Sequence, residues 1–95
     1  MTLAKIPILL EKVNKKDIDK EILRTAIIAE LDAVNLYEQM ASLTEDSDLK
    51  KVLLDVAGEE KGHIGEFQYL LLKCDEEQEK ELISGQKEVK ELLGK

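Results

Sequence analysis

Tryptophan is missing from this 95-residue chain, and proline, cysteine, histidine and phenylalanine each occur once. With so few aromatics (Tyr37, Phe67 and Tyr69), any core must be built from Leu, Ile, Val and Ala. The lone Cys74 excludes an internal disulfide and a cysteine-based zinc site, so a reducing cytosol is the expected compartment. Long apolar runs are lacking too. The longest early one, Ile6 to Leu10, contains Pro7 and is followed by Glu11, which is too short for a signal-peptide core or a membrane span. Basic clusters are also absent, with 14 Lys and Arg against 21 Asp and Glu and a net charge of −7. That balance argues against nucleic acid and anionic membranes as partners and is compatible with binding cations.

What remains is a helix-forming mixture, and its length makes one small domain near the lower limit for a self-sufficient core. Residues 1–16 have no clear period; Ile6, Ile8, Leu9, Leu10 and Val13 could pack on a neighbour, and Asn14, Lys15 and Lys16 read as solvated. Asp17 or Asp19 is a credible N-cap for a helix reaching about Ser42. TEDSD at 44–48 is a polar connector, and a second helix is expected from about Asp48 to Lys73. The acidic remainder, 75–95, reads as two short helices separated by a Ser84-Gly85 break. The expected organisation is therefore an N-terminal segment 1–16, a helical hairpin 17–74 and a C-terminal helical segment 75–95. β-like alternation persists nowhere.

Both long helices carry an uninterrupted seam. In the first, Leu23, Ala26, Glu30, Ala33, Tyr37 and Met40 step by 3, 4, 3, 4, 3. In the second, Leu49, Leu53, Val56, Glu60, His63, Phe67, Leu70 and Cys74 step by 4, 3, 4, 3, 4, 3, 4. This is the pattern of antiparallel bundle packing, and it is polar only near the middles. A short connector makes the helices antiparallel neighbours, so Glu30 should face Glu60 and His63.

Residues three apart share one helix face, so Glu60 and His63 can reach one ion together, with Glu30 approaching from the facing helix. Burying such groups bare costs several kcal/mol per charge, on the order of what a divalent cation would offset. Mixed carboxylate and imidazole donors suit iron, manganese or zinc. A metal-free polar cluster is the competing reading. One hairpin supplies only half of a di-metal bundle site, in which two helices each give a Glu and two others each give Glu-x-x-His. A twofold homodimer would complete it, pairing four carboxylates with two divalent ions, and would cover the apolar seam that one hairpin leaves open. Tyr37 is either a core aromatic or a hydrogen-bond partner of a ligand carboxylate. Cys74 reads as packed at the seam's end, and Asp55, Glu59 and Glu66 as solvated. Gly58, Gly62 and Gly65 cluster on the face opposite the ligands. They mark either slack in the helix or close approach of another subunit.

IIAELDAVNLYEQMA together with LLDVAGEEKGHIGEF resembles the encapsulated ferritins, in particular the archaeal type joined to an encapsulin shell protein. The resemblance runs from about Asp17 to Phe67. It implies an all-α fold: a two-helix hairpin, half of a ferritin-like four-helix bundle, completed by dimerisation and followed by short C-terminal helices. It further implies a di-iron ferroxidase centre shared by two subunits, with Glu30, Glu60 and His63 as metal ligands and Tyr37 beside them. Dimers would assemble into an open decameric ring, working as cargo inside an encapsulin nanocompartment in the cytoplasm. Family members can carry acidic residues just before and two after the first ligand, forming an outer metal-entry site. Those positions hold Ala29 and Asp32 here, and Leu36 stands where an aromatic can occur. The competing functions are peroxide reduction of the rubrerythrin kind on the same bundle, and a non-enzymatic helical scaffold stabilised by Zn(II).

Overall fold

A long hairpin with an arm at its open end is the architecture of this computed structural model, which describes residues 14–95. The expected N-terminal packing residues, Ile6 to Val13, lie outside the described residues. A 3-10 turn at Lys15–Asp17 leads into α1 (Ile18–Leu43), then α2 (Ser47–Cys74) and α3 (Glu76–Leu93). No strand occurs among the described residues. The chain reverses in the three residues between α1 and α2. Asp46 drives that reversal, since its carboxylate accepts the backbone N–H groups of Asp48 and Leu49, each at 2.9 Å. Those donors would otherwise be orphaned at the start of α2.

α1 and α2 pack along their whole lengths, and the residues buried between them include Val34, Ala41, Ala57 and Leu71. These lie about one position round the helices from the heptad seam read in the sequence. The seam itself is only half covered: Leu23, Ala26, Ala33, Tyr37, Met40, Leu53, Val56 and Phe67 are half-buried, and Leu49 and Leu70 are exposed. Each helix thus has one stripe for its hairpin neighbour and a second left open. Cys74, expected to be packed, is exposed, its thiol donating to the Leu71 carbonyl at 3.4 Å. Gly58, Gly62 and Gly65 are exposed as well, with open space where a side chain would begin. An exposed ion pair, Lys61 to Glu38 at 3.2 Å, crosses the outer side of the hairpin. Pairs of that kind contribute at most about 1 kcal/mol.

α3 corrects the expected break at Ser84-Gly85, because it runs through both residues without interruption. A glycine in a helix interior costs only about 1 kcal/mol relative to Ala, which neighbouring turns outweigh. The helix ends instead at Gly94, where φ is +69° and only glycine is unstrained. α3 approaches α2 alone, at the junction. The radius of gyration is accordingly 16.6 Å, against about 12 Å for a compact chain of this length. No described helix is long and apolar enough to cross a membrane.

Candidate metal centre

Antiparallel pairing puts three polar side chains at one height. Glu30 lies 13 residues before the end of α1 at Leu43, and Glu60 lies 13 residues after the start of α2 at Ser47. Equal distances from the turn bring them level, and His63 follows Glu60 by just under one helical turn on the same face. The structure brings all three together: one donor atom from each of Glu30, Glu60 and His63 lies within 4.8 Å of the others. Among the described residues this is the only such cluster of acidic, histidine or cysteine side chains.

His63 Nδ1 stands 3.5 Å from Glu30 Oε2 and 3.7 Å from Glu60 Oε2. Both separations exceed the range of about 2.7–3.2 Å for a nitrogen-to-oxygen hydrogen bond. Glu30 Oε2 is indeed buried with no hydrogen-bond partner. An orphaned carboxylate oxygen costs about 1–3 kcal/mol or more, a cost that a bound cation would offset. A metal ion fits the arrangement. Nitrogen and oxygen donors bind zinc-like divalent ions at about 2.0–2.2 Å, which leaves two ligands of one ion roughly 3.0–3.4 Å apart. The observed spacings are within a few tenths of an ångström of that.

The cluster is also incomplete and open. The Glu30 and Glu60 side chains are 20 % and 19 % exposed, but His63 is 46 % exposed and faces outward. Three donors from one chain leave coordination positions empty for iron, manganese or zinc. Tyr37 is half-buried on α1, two turns after Glu30, and makes no hydrogen bond among the described residues. Asp32 is 5 % exposed and engaged in an interaction of its own.

One structural residue was missed in the sequence. Asp75 is buried between α2 and α3, where its carboxylate accepts the Gln78 backbone N–H and pairs with Arg24 of α1. The Gln78 hydrogen bond, helped by Arg24 and Lys20, holds its carboxyl below the ordinary 3.8 despite the opposing effect of burial. Its signal was legible, since Asp75 followed three residues later by Gln78 has capping-box spacing.

Comparison with known proteins agrees with this geometry. Residues 21–93 match the model of the rubrerythrin family. A ferritin-like–encapsulin shell fusion protein of Pyrococcus furiosus is 61 % identical over 84 residues, covering 88 % of this chain and 24 % of that protein. The encapsulin nanocompartment cargo protein EncC of Myxococcus xanthus is 39 % identical over 69 residues, covering 70 % of this chain and 53 % of that one. The chain thus spans about a quarter and about half the lengths of these two curated relatives. The crystal structure of the encapsulated ferritin domain from Pyrococcus furiosus aligns with a TM-score of 0.83 at 57 % identity, covering 98 % of this chain and 97 % of that domain. With over three quarters of its residues inside the family model and a solved domain matched end to end, the chain belongs to the rubrerythrin family and, within it, to the encapsulated ferritins.

Proposed function

We propose that this chain is half of a ferroxidase: two copies bring their open seams together, and Fe(II) is oxidised between them. The observation that carries this reading is the convergence of an orphaned Glu30 oxygen, Glu60 and His63 on a half-covered apolar face. A twofold pairing gives four carboxylates and two imidazoles, which neutralises two divalent ions and covers the seam at the same time. Membership of a family whose proteins are usually di-iron oxidoreductases supports iron over manganese or zinc.

Iron is the substrate in this scheme. Glu30 and Glu60 bind it as hard anionic donors, and His63 presents Nδ1 from the same face as Glu60. Four carboxylates stabilise the higher-charged Fe(III) more than Fe(II), so the protein's contribution is to favour loss of the electron and to hold two ions close together. With O₂ as acceptor, two Fe(II) supply two electrons. O₂ takes them with two protons from solvent and leaves as hydrogen peroxide, and two Fe(III) pass on to mineral. In the assembled pair, Tyr37 would orient a ligand carboxylate through its hydroxyl. The names of the two curated relatives, a shell fusion and a compartment cargo protein, support delivery of that iron inside an encapsulin nanocompartment. Dimers arranged in a larger ring, a decamer by family resemblance, would leave the product free to escape.

Aerobic Fe(II) oxidation by the parent chain, Glu60→Ala and His63→Ala tests the reading. Each substitution is expected to abolish most of the activity while circular dichroism shows the helices intact, because packing is shared among many other residues. Full turnover in both variants would refute the site. Oxidation by hydrogen peroxide but not by O₂ would move the assignment to peroxide reduction.

A further inference from the structure

Outside the metal cluster, one residue at the end of α2 joins the other two helices through its side chain. Asp75 forms the single-residue break between α2 and α3, with φ −139° and ψ 87°. Its Oδ1 accepts the N–H of Gln78 in the first turn of α3 at 3.0 Å, and its Oδ2 accepts from Arg24 Nη2 in α1. Asp75 is 8 % exposed, so its charge needs the guanidinium that meets it.

Apolar packing does not fix the direction of α3. An open cleft of about 320 Å³ separates its first turns from the hairpin, with Leu82 on one side and Ile27, Ile28 and Leu71 on the other. Further along, Ile83, Val89, Leu92 and Leu93 are all exposed. A one-residue break leaves two soft torsions as a hinge. Burial of the cleft's lining would draw the arm down onto the hairpin unless something held it off. The Asp75 carboxylate spans the hinge, tied to α3 through the Gln78 N–H and to α1 through Arg24.

We propose that Arg24 and Asp75 form a latch that sets the angle at which α3 leaves the hairpin, and so the direction in which the arm presents its apolar face. Asp75 has two separable roles. Through Oδ1 it starts α3, and through Oδ2 it aims it. The latch is independent of the metal centre, since neither residue belongs to the cluster of Glu30, Glu60 and His63.

The test is a spin-label distance between Lys51→Cys on α2 and Glu88→Cys on α3, both exposed positions, in a full-length chain carrying Cys74→Ser. Labelled chains are diluted with unlabelled ones, so that each assembly holds at most one labelled copy. Asp75→Asn keeps a good N-cap and removes the charge, and Arg24→Met keeps an apolar stem without the guanidinium. The parent is expected to give one narrow distance. Both variants are expected to lose it for a broadened or shortened distribution, with helical content unchanged. Arg24→Met decides alone if Asp75→Asn loses helix. A broad parent distribution, or the parent's narrow distance retained in a folded variant, would overturn the latch.

Discussion

Glu30→Gln separates the cost of the seam cluster from its use. Glu30 Oε2 is buried without a hydrogen bond, and the cluster's donor atoms, one of them from Glu60, lie within 4.8 Å of one another. Two ionised carboxylates at such a distance repel by about 3.5 kcal/mol at an effective dielectric constant of about 20. Solvent reaches both side chains, which are 20 % and 19 % exposed, and the imidazole beside them offsets part of the repulsion. A neutral amide of nearly the same shape should therefore recover roughly 1 kcal/mol. Without metal, Glu30→Gln is expected to melt about 4–8 °C above the parent, the shift that 1 kcal/mol produces in a domain of this size. With metal the order should reverse. A ligand at 100 times its dissociation constant stabilises the parent by about 2.7 kcal/mol, and a variant short of one carboxylate per chain gains far less. Thermal melts followed by circular dichroism, at fixed chain concentration in chelator and in excess Zn(II) or anoxic Fe(II), measure both arms. A variant less stable than the parent in chelator, or one that gained as much from metal, would show that Glu30 is neither a buried cost nor a metal ligand.

Two further predictions concern residues beside and beyond the cluster. Tyr37→Phe keeps the ring and removes one hydroxyl, so it is expected to weaken apparent iron affinity about 10–100-fold if that hydroxyl orients a ligand carboxylate. Initial oxidation rates over a range of Fe(II) concentrations report this, and an unchanged curve would remove Tyr37 from the site. Asp75 has a depressed pKa, so its contribution is present above the ordinary 3.8 and is lost as pH falls through the lowered folded value. Protection of the Gln78 amide, its exchange rate relative to that of an unstructured amide at the same pH, is expected to persist through neutral pH and to fall only in acid below 3.8. Loss of that protection already near neutrality would contradict the cap.

Much of this molecule could be read from its seams. The expected helices, about 17–42 and 48–73, differ from Ile18–Leu43 and Ser47–Cys74 by a residue or so at each end. Caps and apolar period act locally: α1 ends at its C-cap, Thr44, and Asp46 caps the start of α2. The meeting of Glu30 with Glu60 and His63 follows from the polar middles of two antiparallel seams joined by a short connector. Which stripe lies inside the hairpin was not legible. Val34, Ala41, Ala57 and Leu71 fill that interior, whereas the stricter 3-4 seam beside them stays half open. Both stripes are apolar, and a single sequence does not say which one meets its own chain. The expected break at Ser84-Gly85 does not form, because the low helix propensity there is outweighed by a helix capped at Asp75 and stopped at Gly94. The Arg24–Asp75 contact joins residues 51 positions apart, which periodicity does not encode.

The shared site itself is tested most directly by counting metal and chains in one experiment. Half a site per chain links metal binding to association, since the bound ions bridge two copies. Sedimentation at low protein concentration, in chelator and then with anoxic Fe(II), combined with metal analysis of the sedimenting species, measures both quantities. Metal is expected to raise the mass to an even number of chains with one iron per chain. A species that remained monomeric while holding two irons would contradict the shared site.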